Sequence, residues 1–180
     1  MYGGAGNDTM IGRLGADHFY GGADTDVVRY ADAIGGVDIS LATGLGFGAD
    51  AQGDTYDGVE NLVGSIFFDT ITGDDGSNRL EGLGGRDTIT GGGGTDFLYG
   101  GGDIDTFRYD STDWGVDYIY DFEDGLDRLD LTAIGLDFSD FTVVDTAFGI
   151  RLDYNDPTNG IQSIAIANLD VGDISNADFV

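Results

Sequence analysis

Apolar residues recur with a period of nine in two parts of the chain. The first part begins at Gly3 and reads GGAGNDTMI, GRLGADHFY and GGADTDVVR. The second part begins at Gly64 and reads GSIFFDTIT, GDDGSNRLE, GLGGRDTIT, GGGGTDFLY and GGGDIDTFR. In every unit, position one is glycine, position six is Asp or Asn, and position eight is apolar. Self-similarity at a short fixed period indicates a repeat architecture.

Each nine-residue unit predicts a three-residue strand and a six-residue turn. Strand side chains alternate between the two faces, so only the residue at position eight points inward. The glycines lie where the turn needs a positive φ or a close approach of two backbone segments. The nine residues before Gly64 form a degenerate unit, with Glu60 at position six and Leu62 at position eight.

One buried apolar side chain per unit is too little to stabilise such a fold. The backbone entropy lost on ordering nine residues exceeds what the burial of that side chain contributes. Stacked turns also bring the carboxylates of position six close together. A divalent cation held between turns would remove this repulsion and supply the missing stability.

The charge of the chain leaves two alternatives. It has 34 acidic and seven basic residues, a net charge of -27, and no lysine. This composition is compatible with a disordered or halophile-like solvated chain, or with a protein whose bound cations offset the acids. All but three of the acids are Asp, which is short and tolerates turns, and the apolar share is 41%. Both features favour the metal-loaded alternative.

Composition also excludes several functions. The charge argues against nucleic acid or an anionic membrane surface as a partner, and no stretch approaches the ~20 apolar residues needed for membrane insertion. The absence of cysteine excludes disulfides and thiolate metal sites. The single histidine, His18, cannot form a catalytic zinc site and is expected at the surface. No acid/base or nucleophilic constellation is recognisable, so we predict a non-catalytic chain.

The nine-residue units resemble the RTX (repeat-in-toxin) calcium-binding nonapeptide, G-G-x-G-x-D-x-U-x, in which U is apolar. The resemblance implies an all-β fold, a right-handed parallel β-roll with two units per coil. Each turn then faces the turn two units further on, with calcium between them. Facing turns are expected at 3 and 21, at 64 and 82, at 82 and 100, and at 73 and 91. About four to six calcium ions are expected.

The same resemblance implies the ligands, which are the side chain of position six and main-chain carbonyls at positions one, three and five. The side-chain ligands would be Asp8, Asp17, Asp26, Asp69, Asn78, Asp87, Asp96 and Asp105. The carbonyl ligands would be those of Gly3, Ala5, Asn7, Gly12, Leu14, Ala16, Gly21, Gly73, Asp75, Gly82, Gly84, Arg86, Gly91, Gly93, Thr95, Gly100 and Gly102. Asn78 is neutral and would bind more weakly. The unit at Gly64 lacks glycine at positions two and four, and we expect it not to coordinate fully.

Outside the repeats we predict an insert and a cap. Residues 1–29 form a first repeat block, 30–54 an insert of irregular strand or hairpin, 55–108 a second block, and 109–180 a C-terminal β cap. A cap is required because a solenoid otherwise ends in an unpaired strand edge. Trp114, Tyr118, Tyr120 and Phe122 are expected in the core of the cap rather than on a sugar-stacking surface.

The insert and the cap resemble parts of the C-terminal domain of serralysin-type metalloproteases, and the final ADFV resembles the tail of an uncleaved type I secretion signal. No signal peptide is recognisable at the N-terminus. The resemblance implies a secreted, extracellular bacterial protein, exported by type I secretion machinery and folding on calcium outside the cell.

Three alternatives remain open for the role of the chain. One is a carbohydrate-binding accessory module like those beside alginate epimerases, although the net charge argues against a polyanionic ligand. Another is the C-terminal tail of a secreted protease or lipase with an upstream catalytic domain. The third is an adhesin or ice-binding repeat, which the irregular residues at positions seven and nine disfavour.

Overall fold

Short strands make up nearly all of the regular structure. The computed structural model describes all 180 residues. The strands are β1 (Tyr2–Ala5), β2 (Thr9–Ile11), β3 (His18–Ala23), β4 (Val27–Arg29), β5 (Asp38–Ser40), β6 (Leu45–Phe47), β7 (Thr55–Asp57), β8 (Asn61–Val63), β9 (Thr70–Thr72), β10 (Arg79–Gly84), β11 (Thr88–Thr90), β12 (Phe97–Gly102), β13 (Thr106–Arg108), β14 (Val116–Ile119), β15 (Arg128–Asp130), β16 (Thr142–Thr146), β17 (Gly149–Asp156) and β18 (Gly160–Ala167). Three single turns of 3-10 helix lie at Ala49–Ala51, Phe138–Asp140 and Asn176–Asp178. No helix has the length and apolar character needed to cross a lipid bilayer.

The strands form two sheets of nine strands each. Sheet A has the order β1-β3-β7-β6-β5-β9-β11-β13-β15, and sheet B has the order β16-β17-β18-β14-β12-β10-β8-β4-β2. Strands of successive repeat units alternate between the sheets, and each pairs in parallel with the strand two units away, as Thr9 with Val27 and Thr88 with Thr106. The chain therefore coils with two units per coil, which confirms the predicted all-β parallel β-roll.

The core between the sheets is a stack of position-eight side chains. All of them are at most 3% exposed, and they are Met10, Phe19, Val28, Leu62, Ile71, Leu80, Ile89, Leu98 and Phe107. They belong to one cluster of 29 buried residues that continues into the C-terminal region. The prediction that one residue per unit points inward is confirmed.

The insert adds strands to one sheet only. Strands β5 and β6 form an antiparallel hairpin that lies in sheet A between β7 and β9. In sheet B, by contrast, β4 pairs directly with β8. A buried polar cluster lies beside Gly46 of β6, and in it the Tyr30 hydroxyl donates to Asp54 Oδ2 at 2.5 Å and lies 2.7 Å from the Tyr56 hydroxyl.

The parallel stack extends past the last glycine-rich unit. Strand β14 pairs in parallel with β12, and β15 with β13, so the expected boundary at residue 108 lies inside the stack. Strand β18 then adds in parallel to β14, and β17 and β16 follow as an antiparallel meander. On sheet A, the last residue covers the edge of β15, because Val180 N–H donates to the Leu129 carbonyl and Leu131 N–H to the Val180 carbonyl. The division of the chain into four segments stays a prediction.

Two of the four aromatic residues expected in the cap core are not buried. Trp114 and Phe122 are 1% and 6% exposed, but Tyr118 and Tyr120 are 37% and 39% exposed. The prediction for the two tyrosines is wrong. Asp117 and Ile119 are buried, and strand alternation therefore turns the tyrosines outward.

Candidate metal sites

The position-six side chains of stacked turns form a ladder of hydrogen bonds. In four of them the backbone N–H donates to Oδ1 of the aspartate 18 residues further on, at 2.8 Å from Asp8 to Asp26 and 2.9 Å from Asp87 to Asp105. The same bond joins Asp69 to Asp87 and Asn78 to Asp96. The four predicted pairs of facing turns are thereby confirmed.

The second oxygen of most ladder carboxylates has no partner. Oδ2 is buried and accepts no hydrogen bond in Asp8, Asp26, Asp87, Asp96 and Asp105. Apart from Asp8, which is half-buried, these residues are at most 1% exposed. An ionised oxygen without a donor in a buried site is strongly unfavourable unless a cation compensates it. These oxygens are therefore the atoms at which a cation fits.

Glycine at position one provides the space around each free oxygen. A Cβ atom on Gly82 would collide with Asp87 Oδ2 and with the carbonyl oxygen of Gly100 in the facing turn. The free carboxylate oxygen and a carbonyl of the next turn thus lie against the same Cα. A set of carboxylate and carbonyl oxygens is the donor set that Ca²⁺ prefers. No group of three or more acidic or histidine side chains is close enough to hold a metal, so backbone oxygens would complete each site.

Two position-six residues lack a free oxygen. Asp69 accepts hydrogen bonds from the N–H and the hydroxyl of Ser65 and, at 2.8 Å, from Val37 N–H. Asn78 donates its amide to the Glu60 carbonyl at 2.9 Å. Ser65 occupies a position where glycine is usual, and its donors satisfy the carboxylate. The unit at Gly64 therefore provides no free carboxylate oxygen for a cation, unlike most of the other units.

The turn at residue 12 faces the insert rather than a second repeat. The position of a Cβ on Gly12 is filled by the Tyr30 ring, and Ala16 lies beside Gly53. Asp17 N–H donates to Asp54 Oδ1 at 2.7 Å. Consequently Gly12, Ala16 and Asp17 face Tyr30, Gly53 and Asp54 instead of another glycine turn, and the Tyr30 hydroxyl already donates to Asp54 Oδ2. Leu14 is exposed.

The remaining expected carbonyl ligands lie in the stacked turns. Gly3 faces Gly21, Gly73 faces Gly91, and Gly84 pairs with Gly102 in the register of β10 and β12. The other residues lie at turn positions, exposed in the case of Ala5, Asn7, Asp75 and Arg86 and half-buried in the case of Gly93 and Thr95. The ligand roles of all these residues, and of the position-six side chains, stay predictions.

Sequence reasoning missed two members of the ladder in the C-terminal region. Asp96 N–H donates to Asp117 Oδ1 at 3.2 Å, and Asp105 N–H donates to Asp127 Oδ1 at 2.9 Å. Residues 112–120, TDWGVDYIY, and 122–130, FEDGLDRLD, keep glycine at position four, Asp at position six and an apolar residue at position eight. The repeat pattern does not identify these two units, because neither has glycine at position one.

Burial shifts the protonation of the ladder. Desolvation, with a smaller contribution from neighbouring carboxylates, raises the pKa of Asp87 and Asp117 to about 8. The same causes raise the pKa of Asp96 and Asp105 to about 7. Without a cation, burial therefore stabilises the neutral carboxylic acid at each of these sites relative to an aspartate in water.

Comparison with known proteins identifies the repeats. The family model of the RTX calcium-binding nonapeptide repeat matches four times, over residues 1–30, 54–85 and 72–107. No curated protein matches the chain. Among solved structures, the AlgE6R3 subunit of the mannuronan C5-epimerase from Azotobacter vinelandii is similar, with 27% identity and a TM-score of 0.55 over 67% of this chain and 77% of that one. The extracellular lipase LipA from Serratia marcescens has 21% identity and a TM-score of 0.43 over 99% of this chain and 37% of the lipase. The chain therefore contains RTX calcium-binding nonapeptide repeats over residues 1–30 and 54–107, and these repeats wind a parallel β-roll.

Proposed function

We propose that the chain is a non-catalytic module of a secreted bacterial protein and that it folds when it binds calcium. The observation that carries this proposal is the row of buried Oδ2 atoms without partners in Asp8, Asp26, Asp87, Asp96 and Asp105. Calcium bound at each of them would convert an unfavourable buried charge into a ligand bond. About four to six ions would load the chain.

The folding switch follows from the charge of the chain. At low calcium, the net charge of -27 opposes compaction, and burial of ionised carboxylates is costly. The chain would stay unfolded and could be threaded through type I secretion machinery. Outside the cell, sites with the affinity of extracellular calcium modules, about 10⁻⁴–10⁻³ M, would fill and lock the coils. The occurrence of RTX repeats in secreted proteins supports this localisation. A catalytic domain upstream in the same protein would be exported together with the module.

A calcium titration monitored by far-UV circular dichroism tests the proposal, starting from chelated protein and with magnesium as the control. We expect a cooperative gain of β signal at sub-millimolar to millimolar calcium. Magnesium should not replace calcium, because it demands an octahedral shell and gives up its waters reluctantly. A β spectrum that is complete in chelator and unchanged by calcium would contradict the proposal.

A carbohydrate-binding role is the second candidate, and an exposed aromatic surface on sheet B favours it. The rings of Phe97 and Tyr118 stack at 5.6 Å, those of Tyr99 and Tyr120 at 5.1 Å, and the Arg79 guanidinium lies 4.1 Å from the Tyr99 centroid. Beside Tyr118 and Tyr120 lies a groove of about 450 Å³, lined also by Phe148, Arg151 and Ala165. The similar AlgE6R3 subunit belongs to an enzyme named for mannuronan.

Calorimetric titration of the calcium-loaded protein with oligomannuronate and with a neutral oligosaccharide tests this second role. Binding should be lost in Tyr118→Ala and retained in Tyr2→Ala, whose tyrosine is 80% exposed on β1, an edge strand of the other sheet, sheet A. No binding of either sugar by the unaltered protein would exclude the role for these ligands.

A further inference from the structure

Two buried carboxylates beside the insert differ from the other carboxylates of the ladder. Asp54 and Asp69 are 0% and 3% exposed. Both belong to the ladder, because Asp54 Oδ1 accepts from Asp17 N–H at 2.7 Å and Asp69 N–H donates to Asp87 Oδ1 at 2.8 Å. In each of the two, both carboxylate oxygens accept hydrogen bonds from the chain itself. They therefore have no oxygen that needs a cation.

We propose that Asp54 and Asp69 are metal-free positions of the ladder, at which hydroxyl and amide groups of the chain take the place of calcium. The inference rests on the proposed calcium binding by the regular turns and exempts these two positions from it. One roll would then combine coils that respond to calcium with contacts that do not.

At Asp54, two buried tyrosines provide the hydrogen bonds. The Tyr30 hydroxyl donates to Asp54 Oδ2 at 2.5 Å and lies 2.7 Å from the Tyr56 hydroxyl. A Cβ on Gly12 would collide with the Tyr30 ring, and a Cβ on Gly46 would collide with the Tyr56 hydroxyl. The Tyr30 ring thus fills the space beside a position-one glycine that, in a regular turn, adjoins the free oxygen. No room remains there for an ion.

At Asp69, a serine and the insert provide the hydrogen bonds. Oδ1 accepts from Val37 N–H at 2.8 Å and from the Ser65 hydroxyl at 2.9 Å, and Oδ2 accepts from Ser65 N–H. Ser65 is 0% exposed. A buried carboxylate with three donors is compensated by these bonds, whereas an oxygen without a donor is not.

The two metal-free positions lie at the two junctions between the insert and the repeats. Asp17 N–H of the first block donates to Asp54, and Val37 N–H of the insert donates to Asp69 of the second block. Strands of sheet A pair at the same places, β3 with β7 and β5 with β9. On this edge of the roll, the insert is therefore joined to both blocks by contacts that need no calcium.

The number of bound ions tests the proposal. Native mass spectrometry at just-saturating calcium should give the same number of ions for Asp54→Asn, Asp69→Asn and the unaltered protein. Asp87→Asn is the matched comparison, because Asp87 is the ladder position after Asp69 and its Oδ2 is free. We expect it to bind one ion fewer, since calcium affinity follows the number of charged ligands.

The calcium dependence of stability is a second test. Tyr30→Phe removes only the hydroxyl, and its urea midpoint should be lower by about 0.5–1 M at both about 1 mM and about 10 mM calcium. The shift of Asp87→Asn should instead grow with calcium, because the unaltered protein gains stability as that site fills. Tyr20→Phe is the control for Tyr30→Phe, since Tyr20 is 38% exposed, and its midpoint should not move.

The outcomes separate this inference from the proposed function. If the unaltered protein binds no calcium, the proposed function fails, and the contrast between the two kinds of position fails with it. If the protein binds calcium but Asp54→Asn or Asp69→Asn loses an ion, only the inference is overturned. A Tyr30→Phe shift that grows with calcium also overturns it.

A crystal structure of the calcium-loaded unaltered protein decides if a variant does not fold. Calcium is then located by anomalous scattering. An ion bound to Asp87 with none at Asp54 or Asp69 supports the inference, and an ion bound to either of these two carboxylates overturns it.

Discussion

The two carboxylate oxygens of most position-six aspartates have different surroundings. Oδ1 accepts the backbone N–H of the residue one coil away, and Oδ2 remains free beside the position-one glycine, as in Asp87 with Gly82. An aspartate therefore links two turns even before a metal binds. The glycine is needed for the space that it leaves, since its φ is not in the left-handed region.

Adding a methyl group to that space should reduce both stability and calcium affinity. Gly82→Ala places a Cβ against Asp87 Oδ2 and the Gly100 carbonyl, and we expect it to lower the free energy of unfolding in calcium by about 1–3 kcal/mol. Gly102→Ala is the matched control, because a Cβ there meets nothing within 4 Å. Its effect should stay within about 0.5 kcal/mol. Urea unfolding of both variants measures the difference, and equal effects would disprove the explanation.

Acid should partly replace calcium. Burial raises the pKa of Asp87 and Asp117 to about 8 and of Asp96 and Asp105 to about 7, above the ordinary value of 3.8. The folded chain therefore binds more protons than the unfolded chain between these values, and its stability rises as the pH falls through that range. Metal-free protein prepared by dialysis should gain β signal in far-UV circular dichroism as the pH falls from about 8 to about 5. A β signal that stays absent or decreases on acidification would contradict the buried, uncompensated state of these groups.

At the scale of elements, the nine-residue period predicts strands and their pairing well, because one residue per unit must point inward. It does not reveal the units at 112 and 122, since Thr112 and Phe122 stand where glycine is usual and the spacing to the preceding coil is no longer 18 residues. The alternation in VDISL predicts a strand, β5, but its place between β6 and β9 follows from long-range pairing. Local patterns contain no information about that contact.

The C-terminal residues should contribute measurably to the closure of sheet A. Phe179 packs against Phe138 and Phe141 with ring centroids 5.3 and 6.0 Å apart, and forms a bridge with Leu129 of β15. Phe179→Ala should lower the free energy of unfolding by about 1–3 kcal/mol, because it removes a large, partly buried ring. Val180→Ala, at a residue 53% exposed, should change it by less than about 0.5 kcal/mol. Thermal denaturation in calcium compares the two, and similar losses would show that the ring is not the anchor.

For the whole molecule, net charge and specific binding are separable causes of folding. Monovalent salt shortens the range of repulsion to about 3 Å at 1 M but does not bind the free oxygens in place of a divalent ion. The charge of -27 would then be screened while the buried carboxylates stay uncompensated.

Small-angle scattering distinguishes the two causes. The radius of gyration of chelated protein should be near the unfolded value of about 45 Å and fall towards the compact value of about 16 Å in calcium. Addition of 1 M KCl without calcium should leave it near the unfolded value. Full compaction in KCl would show that screening is sufficient and that the sites are dispensable.

In the second repeat block, ladder partners between Asp69 and Asp105 are 18 residues apart, which is the length of one coil. Removal of residues 82–99 would join Glu81 directly to Gly100. Glu81 and Tyr99 both occupy position nine of a unit, so the repeat pattern would continue without a break and every remaining strand would keep its sheet. Removal of nine residues would instead exchange the two sheets beyond the cut, so that the cap would meet the wrong edge. We therefore expect the roll to tolerate deletion of whole coils of 18 residues. Deletion of a single nine-residue unit should leave every repeat motif intact but disrupt the pairing of strands in the two sheets.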